Sequence, residues 1–230
     1  ANEAPAADMA DAEIPVADTP VAEIPAADMP ADAPAEVQAP ATDGTDTLSL
    51  AGTVALTANR SLNVLQNTLT LSGVVSGTGY TLTKNGFGSL ALSAANTYTG
   101  GTTLNAGVAT AGNAAAFGTG AITVNGINGQ VTNVFSGGTV GNGSSGMGAT
   151  LDLAALTPTN SIILAGGALT GSAIDPAKVS GYGFIQGTMA GANALTVNTT
   201  GALTLYTAGT FTGGTTLTAG TLNLMNAASM

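Results

Sequence analysis

From Thr47 onward, apolar and polar residues alternate in short bursts. TLSLAGTVAL sets Leu48, Leu50, Val54 and Leu56 on the apolar phase, and SLNVLQNTLTLSG sets Leu62 and Val64, then Leu69 and Leu71. The same beat returns in GSLALS (Leu90, Leu92), AITVNG (Ile122, Val124) and TLDLAAL (Leu151, Leu153), then in SIILAGG, ALTVNTTGALTLYT and GTLNLM. Thr, Ser and Asn fill the intervening places and glycine interrupts every few positions. A period of two predicts short strands with one buried face. No i, i+3, i+4 pattern lasts for a helix's length, so residues 47–230 are predicted to be all-β.

A longer period lies over the short one. Leu82–Gly107 aligns without gaps on Leu195–Gly220, with Leu90 over Leu203, Leu92 over Leu205, and TYTGGTTLNAG over TFTGGTTLTAG. Such self-similarity marks repeat architecture. Each unit reads as a strand, a Gly-Gly corner and a second strand. Gly100 and Gly101 correspond to Gly213 and Gly214, where adjacent glycines permit positive φ and close backbone approach. Tyr98 and Phe211 are equivalent, which places an aromatic side chain beside each corner and points to stacking there rather than to a ligand contact.

Residues 1–46 follow another rule. From Ala4 they run in fives (APAAD, MADAE, IPVAD, TPVAE, IPAAD, MPADA) with proline at 15, 20, 25 and 30. Proline removes a donor and clashes with the preceding helical turn, and it is equally excluded from central strands. The expectation is an extended Pro/Ala/acidic tail of polyproline-II character. Met9, Ile14, Ile24 and Met29 recur on the pentad frame, about 15 Å apart along such a chain. They are candidate anchors by which the tail docks on its own body or on a neighbouring subunit.

Charge follows the same division. Eleven of the 13 acidic residues lie in positions 1–46, leaving Asp152 and Asp175 beyond them against Arg60, Lys84 and Lys178. A body this nearly neutral lacks the cations that nucleic acid requires. No apolar run reaches the ~18 residues of a membrane span, so membrane insertion is not expected. Ala1 reads as the first residue left after removal of a signal peptide.

LTKNGFGSLALSAANTYTGGTTLNAG resembles the autotransporter-associated β-strand repeat of bacterial passenger domains and other large exported surface proteins, and the resemblance extends in degenerate form over 47–230. It implies a right-handed parallel β-helix (a solenoid) and an extracellular, cell-surface location; it implies no particular activity. With ~20 residues per coil and ~4.8 Å per rung, 184 residues give about nine coils and a rod on the order of 45 Å. Two features stand outside the family pattern: the acidic tail, and the want of a recognisable membrane-barrel segment.

Catalytic chemistry finds little material. Histidine and cysteine are absent, which removes the commonest general base, thiol nucleophile and transition-metal ligands. Asp152 and Asp175 are the body's only carboxylates and read as turn residues rather than a glycosidase pair. GNGSSG from Gly141 matches a phosphate-loop spacing without the strand and helix that give it meaning. No enzyme, cofactor or metal is expected. The first functional expectation is a structural subunit that polymerises with copies of itself through its solenoid ends and tail into an extracellular fibre or surface layer. The alternative is an adhesin whose β-helix is a stalk presenting loops such as 125–147 to a surface or glycan ligand.

Overall fold

The computed structural model describes residues 47–126 and 148–226. The acidic tail, with Met9, Ile14, Ile24 and Met29, lies outside the described residues, as does nearly all of the 125–147 loop.

Among the described residues, fifteen strands follow one another, with one short 3-10 turn at Pro176–Lys178. The first coil holds β1 (Thr47–Leu50), β2 (Val54–Ala55) and β3 (Arg60–Asn63); the second holds β4 (Thr68–Leu71), β5 (Val75–Ser76) and β6 (Leu82–Asn85). The third and fourth contain β7 (Ser89–Leu92), β8 (Thr102–Leu104), β9 (Val108–Ala111) and β10 (Ile122–Asn125). Then come β11 (Thr150–Asp152), β12 (Ile162–Thr170), β13 (Val179–Ile185), β14 (Leu195–Leu205) and β15 (Thr215–Leu224). Among the described residues every strand pairing is parallel, each strand lying beside its counterpart one coil away. This is a parallel β-solenoid of about eight turns, close to the number that the alternation and the coil length predict.

Two long walls carry the ladder. In the first, β1, β4, β7, β9 and β11 lead into the second halves of β12, β13, β14 and β15. In the second, β3, β6, β8 and β10 lead into the first halves of β12 and β13. A third, less regular side begins with β2 and β5 and continues through bonds such as Thr97 N–H to Val75 O (2.8 Å) and Thr210 N–H to Met189 O (2.8 Å).

Inward positions stack like on like. Leu48, Leu69, Leu90, Ala109, Leu151, Leu169, Ile185, Leu205 and Leu224 form one continuous column through the first wall. Its interior members are essentially sealed: Leu90, Leu151 and Leu169 are all 0% exposed. Each buried Leu contributes about 1.5–3 kcal/mol, and each coil gains it only against its two neighbours, so stability accumulates along the stack. Leu217 in β15, and Met225 just after it, are more than half exposed.

Coil length is not uniform. Thr47 pairs with Thr68 and Thr68 with Ser89, a step of 21 residues each time. Val108 pairs with Thr150, so these two adjacent rungs stand 42 residues apart in sequence (150 − 108). Beyond them the step drops to 18 residues from Thr150 to Ala168 and to 16 from Ala168 to Phe184. The physical reason is the corner. In the early coils the second-wall strand stops at an asparagine and several residues turn onto the first wall; β12 instead passes from wall to wall as one bent strand, with a register shift near Gly166.

Candidate functional site

The corner where the two long walls meet is built from asparagine. Asn63, Asn85, Asn105 and Asn125 occupy equivalent positions at the ends of β3, β6, β8 and β10. Their side chains form a ladder: the Asn85 amide donates to Asn63 Oδ1 (3.0 Å), Asn105 to Asn85 Oδ1 (2.7 Å) and Asn125 to Asn105 Oδ1 (2.7 Å). Two residues before each, and facing outward like it, stand Ser61, Thr83, Thr103 and Thr123, which pair rung by rung. The second wall therefore presents two straight polar columns.

Beneath the same corner lies a residue whose place the sequence reading missed. Lys84 falls in the inward column between Leu62 and Leu104 and is 0% exposed. Its Nζ donates to Gly86 O (2.8 Å), Ala106 O (2.9 Å) and, more weakly, Asn85 O (3.4 Å). The ammonium thus joins the corner of the second coil to that of the third. Burial pushes its pKa down from 10.5 to about 8. The signal was present in the internal repeat, where Lys84 aligns with Val197, itself buried.

The repeat corners take the same form in both copies. A Cβ on Gly100 would come within 2.3 Å of the Tyr80 carbonyl carbon, and one on Gly213 within 2.3 Å of the Asn193 carbonyl carbon. Gly101 and Gly214 both have positive φ, +94° and +79°. The aromatic pair differs. Tyr98 points into the core, fully buried, its hydroxyl 2.5 Å from Thr102 Oγ1, and burial raises its pKa to about 12. Phe211 is half-buried against the core in the final coils. Ring pairing occurs instead between Phe184 and Tyr206, with centroids 6.2 Å apart.

Other asparagines tie coils together from within. Buried Asn96 accepts from Val75 N–H (2.7 Å) and donates to Ala116 O (2.5 Å), bridging the coils on either side of its own. Asn160 donates to Gly118 O (3.1 Å) and Gly120 O (2.6 Å), fastening the turn before β12 to the turn before β10. The two body carboxylates do structural work in separate places. Asp152 Oδ1 accepts from Ala154 N–H (2.9 Å) and the Thr170 hydroxyl (3.1 Å). Asp175 caps the 3-10 turn through Ala177 N–H (3.0 Å) and accepts from the Asn193 amide.

Comparison with known proteins agrees with this geometry. The passenger-associated-transport-repeat family model matches residues 82–108 and 195–224, the segments that contain the paired Gly-Gly corners. Over 96 residues the chain is 40% identical to the adhesin BmaC autotransporter of Brucella suis biovar 1 (strain 1330), covering 37% of this chain and 3% of that protein. The chain thus matches only a small part of that relative's length. No solved structure matches. Two segments of the chain, both set in one continuous parallel ladder, thus match the passenger-associated-transport repeat.

Proposed function

We propose that this chain is a non-enzymatic, adhesin-like part of an exported bacterial surface protein, its solenoid serving as a rigid stalk with an adhesive outer face. The observation that carries the reading is the coincidence of two passenger repeats with an unbroken parallel ladder, supported by the similarity to an autotransporter adhesin. A column of rungs bonded only to their neighbours is stiff along its axis and offers its outward side chains to whatever surface it meets. Displaying the chain on a non-adherent bacterium tests this: attachment to host cells or abiotic surfaces above the empty-display control is the expected result, and attachment equal to that control refutes it.

A second reading is self-assembly into a fibre or surface layer, for which the parallel ladder supplies the bonding pattern, each rung pairing with the next through its edge. In that reading Met9, Ile14, Ile24 and Met29 bind the tail to an adjacent copy. Concentration-dependent filaments in negative stain, lost when residues 1–46 are deleted while circular dichroism of the body is unchanged, are its expected signature; a strictly monomeric full chain excludes it.

A further inference from the structure

We propose that the outward face of the second wall binds a neutral polysaccharide laid along the solenoid axis, an inference that rests on the adhesive reading and names its ligand class. The face is a small lattice. Ser61, Thr83, Thr103 and Thr123 make one column, Asn63, Asn85, Asn105 and Asn125 the other. Rungs repeat at about 4.8 Å and the columns lie about 6.6 Å apart, so four rungs span about 14 Å. None of these eight side chains is ionisable. The two lysines are turned elsewhere: Lys84 is buried, and Lys178 donates to Thr159 O (3.1 Å).

Three further observations select the ligand. The asparagine ladder fixes the amide planes, because Nδ2 of Asn85, Asn105 and Asn125 each spends one N–H on the previous Oδ1 and keeps the second. Donors are thereby pre-organised, which reduces the ordering cost of binding. The four Ser/Thr hydroxyls make no hydrogen bond to other described residues, so they are available as donors and acceptors. Finally, the columns continue into apolar surface: Thr123 pairs with Ile163, which is 40% exposed, and Asn125 leads through Ala165 to Tyr182. The Tyr182 ring lies against Gly201, where a Cβ would approach its ring carbon to 2.8 Å.

A sugar chain presents the complementary pattern, hydroxyls along its edges and apolar C–H faces on its rings. The cation at this wall, Arg60 at the start of β3, stands at one end of the lattice with its guanidinium donating to Thr57 Oγ1 (3.2 Å), so an anionic polymer laid along the four rungs meets no matching row of cations, and Coulomb attraction is the main source of affinity for such ligands. Hydroxyl and amide partners give direction to binding, while Ile163 and Tyr182 supply the apolar contact that neutral sites need.

Co-sedimentation of the full chain with cellulose and chitin, with alginate as the acidic comparison, tests the proposal. The expected result is binding to at least one neutral polymer that persists in molar salt. Replacing Thr83, Thr103 and Thr123 together by Val keeps β-branching and removes three hydroxyls; it should weaken binding about tenfold or more, while the triple Ser variant retains it. Val at Thr68 and Thr70, on the other wall, should leave binding unchanged. The proposal is overturned by no binding to either neutral polymer, by binding only to alginate at low salt, by an unaffected triple Val variant with native circular dichroism, or by loss of self-association in that variant instead of polysaccharide binding. If the triple Val variant still promotes attachment when displayed on cells, the adhesive reading stands and this wall is not its binding face.

Discussion

Replacing Lys84 by Met leaves a side chain of similar length without donors, and the consequence depends on pH. Two carbonyls, Gly86 O and Ala106 O, lose their short bonds to Nζ at a partly buried corner; carbonyls left unmade against the core cost about 1–3 kcal/mol each, or about 4 kcal/mol together at mid-range. Against this stands the cost of burying the ammonium. The pKa falls from 10.5 to about 8, a shift worth about 3 kcal/mol in the charged state. The folded pKa lies below the unfolded one, so between pH 8 and 10.5 the unfolded chain holds more protons and stability rises with pH. Below pH 8 the penalty is fully present; above 10.5 it is gone. Met carries no such group. Lys84→Met should therefore cost about 1 kcal/mol at pH 7 and about 4 kcal/mol near pH 10.5. Urea unfolding followed by circular dichroism at the two pH values measures the difference. A gap that stays constant or narrows as pH rises would refute the buried-ammonium account.

Other expectations follow from single contacts. Tyr98, held near pKa 12 by burial, keeps its proton when the unfolded chain loses it near pH 10, so stability falls as pH rises from 10 to 12; Tyr98→Phe should remove that alkaline slope in thermal melts and cost about 1 kcal/mol at pH 7 through the lost Thr102 bond. Asn105→Ala removes both the bond to Asn85 and the bond from Asn125 and should cost about 1–2 kcal/mol in urea unfolding, more than Asn63→Ala at the ladder's end. Gly100→Ala drives a methyl group into the Tyr80 carbonyl, whereas Gly52 faces open space; equilibrium unfolding should show a loss of about 2–4 kcal/mol for the first and less than about 0.5 kcal/mol for Gly52→Ala.

Much of the solenoid can be read from the chain because inward and outward places are fixed by a period of two. Leu69, Leu71, Leu90 and Leu92 fall on the buried face as their alternation predicts, and the doubled TGGTT marks corners whose glycines both copies need. The asparagine ladder was equally legible, in the endings SLN, TKN, TLN and TVN spaced about one coil apart, but it requires aligning every coil rather than the best-matched pair. Lys84 escaped because charge is ordinarily a surface signal; only its alignment with Val197 gives it away. The inward direction of Tyr98, by contrast, depends on Thr102 being there to accept or donate. The bent passage of β12 through Gly166 has no local motif, since the same glycines serve as corners elsewhere.

The asparagine ladder also has a direction. Each amide donates toward the N-terminal coil, so four aligned dipoles run along the axis, with a spare donor at Asn63 and a spare acceptor at Asn125. Polarised amides strengthen one another in series, and the series stops where β12 sets Ala165 rather than an asparagine beside Asn125. The wall is in this sense a vector, with a head and a tail that any molecule lying along it must match.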